Sequence, residues 1–210
     1  MVTIKIYIEG GVLENKNTPS LAISNTNILR QSFYELLTQQ FSPYDFNLVI
    51  KMGSGEKQTV KFLKNSSVDA IALIDLDHKD KKDKLATLEA SDFAKQIFFM
   101  VQTMEAWILS QPDKIELYGK NEYLTRVKSN SLIEEDKSIK DKHPESLIHP
   151  DAILKTILKR YFKQGNRKKG YGKLKDAPKF INLLELDKLV ATFEDVRNMV
   201  LYINTKNQNK

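Results

Sequence analysis

Apolar and polar positions along the first hundred residues alternate between two periods. Val2 to Ile8 is a β-branched run that stops at Glu9-Gly10-Gly11, a turn signal. Between residues 20 and 40 the apolar positions Leu21, Ile28, Leu29, Phe33, Leu36 and Leu37 fall roughly on one helical stripe. Phe46 to Ile50 reads as a second strand, closed by Gly53 and Gly55, and residues 56–65 as a helix carrying Val60, Phe62 and Leu63. Val68 to Ile74 is apolar apart from Asp69, the pattern of a strand buried on both faces. After a lysine-rich stretch, Gln96 to Gln102 gives a fourth strand, running into a helix with Met104, Glu105, Ala106, Trp107 and Ile108. Strands and helices in this order predict an α/β fold with a mostly parallel four-stranded sheet covered by helices on both faces.

The second half differs. Residues 119–147 are polar and charged and read as a mobile loop region. Helical patterns follow at about 150–162, 176–188 and 190–203, and the Asn/Lys tail is expected to fray. The chain therefore divides into an α/β core over 1–118, the loop region over 119–147, a basic helical extension over 148–204 packing on the core, and a tail over 205–210. No internal repeat is present. Met52 to Lys57 lacks the spacing of a phosphate-binding Walker loop, and Gly170-Tyr171-Gly172-Lys173 is only a weak glycine loop, so no nucleotide cofactor is expected.

Composition narrows the class. The 41% hydrophobic content is ordinary for a globular chain of 210 residues, and no tract approaches the roughly 20 apolar residues of a membrane span. The start shows no signal-peptide pattern, so a cytoplasmic location is expected. Without cysteine there is neither a disulfide nor a thiolate zinc site. The three histidines (78, 143, 149) match no common zinc spacing, and His78 reads as a polar loop residue. Formal charge is +6, but the excess is local: residues 155–179 hold ten Lys or Arg against the single acid Asp176. Cations with glycines and one ring, over Arg167, Lys168, Lys169, Tyr171, Lys173 and Lys175, suit phosphate contacts and base stacking. A solvated charged face is the plainer alternative.

Two acidic features fall at strand ends: Glu9 after the first strand and Asp75-Leu76-Asp77 after the third. Ligand sites in open parallel sheets gather at the carboxyl ends of strands. Strand alternation would point Asp75 and Asp77 to one side. Carboxylates crowded there repel one another, and a hard cation such as Mg²⁺ relieves the repulsion through oxygen ligands. An Asp-x-Asp after a buried strand can equally be a solvated turn. Glu105 is a candidate further ligand, or else a helix-start carboxylate held by the helix dipole or an ion pair. Trp107, at helical spacing with Met104 and Ile108, reads as a core residue.

Strand-Glu-Gly followed by strand-Asp-x-Asp resembles the Toprim domains of topoisomerases, primases, OLD-type nucleases and ribosomal RNA maturases. More closely, the chain resembles the Toprim-like family catalogued as domain of unknown function 4276. The matching blocks are Ile6 to Gly11, Leu73 to Asp77, Met100 to Trp107 and Tyr171 to Pro178; residues 119–147 have no counterpart. The resemblance implies Mg²⁺ or Mn²⁺ held by Asp75 and Asp77, with Glu9 completing the metal shell or serving as general base. It further implies hydrolysis of DNA or RNA. If Lys173 or Lys175 reaches the metal cleft, its ammonium would stabilise charge developing on phosphorus. Families of this kind often sit beside an AAA or SMC-like ATPase in antiphage modules, which would make this chain the effector subunit. A non-catalytic nucleic-acid-binding or regulatory subunit and a phosphotransfer enzyme are the competing expectations.

Overall fold

In the computed structural model, β1 (Val2–Ile8), β2 (Phe46–Met52), β3 (Ala70–Asp75) and β4 (Ile97–Met100) form one all-parallel sheet in the order β2-β1-β3-β4. The structure describes residues 1–15, 17–77, 79–127 and 130–208, so His78 lies outside the described residues. Parallel neighbours need long crossovers. Here α1 (Ser20–Leu37) links β1 to β2, and α2 (Glu56–Lys64) links β2 to β3. From β1 the chain therefore moves to one side of the sheet and then returns to the other. β1 and β3 are neighbours whose outgoing connections diverge, which opens a crevice at their carboxyl ends.

Alternation along the strands divides the core in two. Ile4, Ile6, Ile8, Ile71, Leu73, Phe98 and Met100 pack on the face covered by α1, whose Leu29, Phe33, Leu36 and Leu37 are buried there. Tyr7, Ala70, Ala72, Ile74, Ile97 and Phe99 pack on the opposite face against Val60 and Leu63 of α2 and against Leu88 and Ala90, which follow α3 (Lys81–Thr87). Every residue of β3 is buried, as a strand between two neighbours and two helical layers requires.

The remaining helices are α4 (Met104–Leu109), α5 (Pro112–Asn121), α6 (Pro150–Tyr161), α7 (Lys173–Ile181), α8 (Leu186–Thr192) and α9 (Glu194–Gln208). They extend the α1-side core: Trp107, Leu154, Ile157, Phe180 and Ile203 all belong to it. Trp107 is 1% exposed and meets Phe33 edge-on, which settles it as a core residue.

Three regions differ from the expectation. The segment read as a polar loop buries Ile133, Ile139 and Leu147, and its Asp136 is buried in an ion pair with Arg160 of α6. Part of the basic run forms a small antiparallel sheet, β5 (Thr125–Arg126), β6 (Phe162–Gln164) and β7 (Arg167–Lys168). Gly165, with φ 59°, makes the two-residue turn between β6 and β7, which a helical reading to residue 162 does not foresee. Residues 205–208 continue α9, past the helical pattern at about 190–203. Lys206 in its last turn lies 3.0 Å from Asp69 and over the ring of Tyr202. Among the described residues no helix is long and apolar enough to cross a membrane.

Replacing Leu73 with Ala should cost about 2–5 kcal/mol in urea unfolding, because its side chain is enclosed by both neighbouring strands and the α1 layer. Leu21→Ala, on the exposed side of α1, should stay within about 0.5 kcal/mol.

Candidate functional site

Glu9 is the first residue beyond β1, and the pairing of Ile8 with Leu73 brings it level with the end of β3. Its backbone N–H donates to Leu73 O (2.9 Å), and its Oε2 accepts from the Asp75 N–H (3.0 Å). The following turn takes Gly10 to φ 116° and Gly11 to φ 70°, conformations that favour glycine. A Cβ on Gly11 would stand 2.6 Å from Thr26 Cγ2 of α1, so the strand end lies tightly under that helix. The crevice at this point is a cavity of about 280 Å³ whose lining includes Glu9, Gly10, Asp75, Met104, Lys173 and Leu174.

Asp75 is 8% exposed, and among the described residues its buried Oδ1 has no hydrogen-bond partner. Burial pushes its carboxyl up to about 8 against the opposing pull of Lys173, and the nearby Glu9, Glu105 and Asp77 add to the rise. Burial also raises Glu9, with the Asp75 N–H and Lys84 working the other way. Lys173 arrives from the first position of α7, nearly a hundred residues later in sequence. Its Nζ lies 3.8 Å from Asp75 Oδ2 and 3.7 Å from Glu105 Oε2. Burial disfavours this ammonium, but Glu105, Asp75 and Glu9 outweigh it and hold the Lys173 pKa above its usual value.

The other two expected ligands are placed differently. Glu105 is fully buried in the first turn of α4, and both its oxygens are engaged: Oε2 accepts from Thr103 Oγ1 and Oε1 from the Tyr171 hydroxyl, each at 2.8 Å. Its ion-pair alternative is thus realised, through Lys173. Asp77 does not continue the strand alternation. β3 ends at Asp75, Asp77 turns with φ 52°, and its N–H donates to Gln102 O (3.1 Å). Its Oδ2 lies 3.2 Å from Lys84 Nζ of α3, and Asp77 does not line the cavity. Among the described residues no three His, Cys, Asp or Glu side chains are gathered as a metal-holding group. Glu9 and Asp75 nonetheless fit a Mg²⁺-type ion: both offer hard oxygens, and one buried oxygen lacks a partner. Such ions are often held by one or two carboxylates, with waters and substrate phosphates filling the remaining positions.

The basic segment separates into two groups. Arg167 and Lys168 on β7, and Lys175 on α7, are exposed. Lys169 and Tyr171, expected on the nucleic-acid face, are turned inward. Lys169 is 8% exposed, with Nζ 3.0 Å from both Asp176 oxygens, since a buried ammonium must be paired. Tyr171 is held by Glu105. Asp176 also accepts from the Tyr118 hydroxyl (2.8 Å) and the Gly172 N–H (2.8 Å). This network ties the β6–β7 hairpin to the start of α7 and so sets the position of Lys173. Tyr118, Glu56 and Lys84 carry no signal in the sequence, and Asp176 stands out there only as the single acid of the basic run. Lys84 is one of several lysines between residues 79 and 84, and only the face of α3 distinguishes it.

The chain belongs to the family described as Domain of unknown function (DUF4276), whose model matches residues 20–203. The match takes in Asp75, Asp77, Glu105 and Lys173 and begins after Glu9. No curated protein and no solved structure matches the chain.

Because the folded-state pKa of Asp75 is raised, the folded protein retains a proton that the unfolded chain releases between its ordinary value of 3.8 and about 8. This contribution to stability is complete below that window and is lost as pH rises through it. Urea unfolding in chelator across this range should therefore show a shallower decline for Asp75→Asn than for the wild type.

Proposed function

We propose that this chain is a metal-dependent nuclease, hydrolysing phosphodiester bonds of DNA or RNA in the crevice between β1 and β3. The observation that carries the reading is the buried, unpartnered Oδ1 of Asp75 beside Glu9 and Lys173, at the carboxyl ends of two parallel strands. Glu9 and Asp75 would hold Mg²⁺ or Mn²⁺. A bound ion of this kind supplies Lewis acidity toward a phosphoryl oxygen. Lys173 lies at the rim of the same cavity, half exposed, where its ammonium can stabilise charge developing on phosphate oxygens. The network of Asp176, Lys169 and Tyr118 supports the start of the helix that carries it. Glu105 orients Lys173 and Tyr171 from beneath. Burial raises the Glu9 carboxyl above its ordinary value, which makes it a stronger base toward water.

Arg167, Lys168 and Lys175 give the nucleic-acid backbone an exposed cationic approach. The same exposed hairpin supports the second reading, a subunit that binds nucleic acid without cutting it. A place as effector beside an AAA or SMC-like ATPase is supported by the Toprim resemblance alone.

Labelled plasmid DNA, single-stranded DNA and tRNA, each with Mg²⁺, Mn²⁺ or chelator, test the reading. Metal-dependent cleavage is expected, with Glu9→Gln and Asp75→Asn lowering it by about two orders of magnitude or more. Undiminished cleavage by both folded variants would exclude it. Arg167→Glu with Lys168→Glu should weaken binding and reduce the slope of log affinity against log salt by about one per lost phosphate contact. Salt-sensitive binding with no cleavage under any condition would favour the binding subunit.

A further inference from the structure

Two ammonium groups serve the acids at these strand ends, and only one of them lines the cavity. Lys173 serves Asp75 and Glu105. Lys84 serves Asp77 and Glu56, and its side chain has no exposed surface. Full burial of a lysine is uncommon and requires paired partners, since removing the charge from water costs several kcal/mol.

Both partners are placed by the sheet. Glu56 opens α2 after β2, and Asp77 follows β3 with its backbone tied to Gln102 O. Lys84 is presented by a short helix capped by Asp80, whose Oδ1 accepts from the Lys82 N–H (2.8 Å) and the Asp83 N–H (3.3 Å). The charge of Lys84 is felt at Glu9, where it opposes the effect of Asp77 and Glu56. A second group of carboxylates at the strand ends is thus already neutralised by a tethered cation.

We infer that Lys84 is an internal cation standing where these carboxylates would otherwise draw a second divalent ion, so that the site takes one ion, on Glu9 and Asp75, with Asp77 serving Lys84 and not the metal. The inference rests on the metal-site reading above. It departs from the expectation that both aspartates of Asp75-Leu76-Asp77 hold metal. An ordinary structural ion pair would leave the ion count unchanged when Lys84 is replaced, whereas a cation that fills a site would not.

Mn²⁺ binding to the full chain, followed by the electron paramagnetic resonance signal of free Mn²⁺ and by calorimetry, decides it without an activity assay. The wild type should bind one Mn²⁺. Asp75→Asn should lose it or weaken it by about tenfold or more. Asp77→Asn should keep one ion, and Lys84→Gln, if folded by circular dichroism, should gain a second that Asp77→Asn in the same chain removes. If Lys84→Gln does not fold, the Asp77→Asn arm decides, because that side chain is half exposed and Lys84 keeps its ion pair with Glu56. Two ions in the wild type, loss of the ion in Asp77→Asn, or a folded Lys84→Gln that still binds one would each overturn the inference while leaving a metal site. No Mn²⁺ in the wild type would overturn the metal reading and this inference with it.

Discussion

Parallel pairing of β1 with β3, with Ile8 opposite Leu73, determines the chemistry of this molecule. The register brings Glu9 to the Asp75 N–H, so a carboxylate closes the ladder where the next backbone acceptor would have been. A shift by one residue would move Glu9 away and turn Ile4, Ile6 and Ile8 out of the α1-side core. The hydrophobic pattern that builds the sheet therefore also holds the acidic pair in place. Burial, and after it the neighbouring carboxylates, raise the pKa of Asp75.

Charge compensation accounts for much of the surrounding architecture. Lys173 and Lys84 approach from opposite sides, one from α7 and one from α3, each spanning two carboxylates. Only Lys173 keeps substantial exposure, and only Lys173 lines the cavity. The first ammonium is available to an incoming phosphate, while the second is enclosed. This asymmetry distinguishes Asp75 from Asp77, which the Asp-x-Asp spacing makes look equivalent.

The C-terminal helices do more than cover the sheet. Asp176, buried and accepting from Lys169, Tyr118 and the Gly172 N–H, joins α5, the β6–β7 hairpin and α7 into one support for Lys173. The basic run is accordingly two things at once. Lys169 and Tyr171 work as internal polar links, and Arg167, Lys168 and Lys175 remain in solvent.

The sequence by itself determined the parallel α/β core, the burial of β3, the core role of Trp107 and the strand-end positions of Glu9 and Asp75. These are legible because side-chain periodicity and turn residues act locally, within one element at a time. It also marked Lys173 as a basic residue worth attention, without a distance to any acid. Tertiary structure alone decided that Lys173 meets Asp75, that Asp77 belongs to Lys84, that Glu105 is saturated by Thr103 and Tyr171, and that Lys169 is buried. Each of these depends on which face of a helix meets which strand end, across separations of up to about a hundred residues in the chain. A lysine that pairs inside and a lysine that faces water are the same letter, and only packing makes them different.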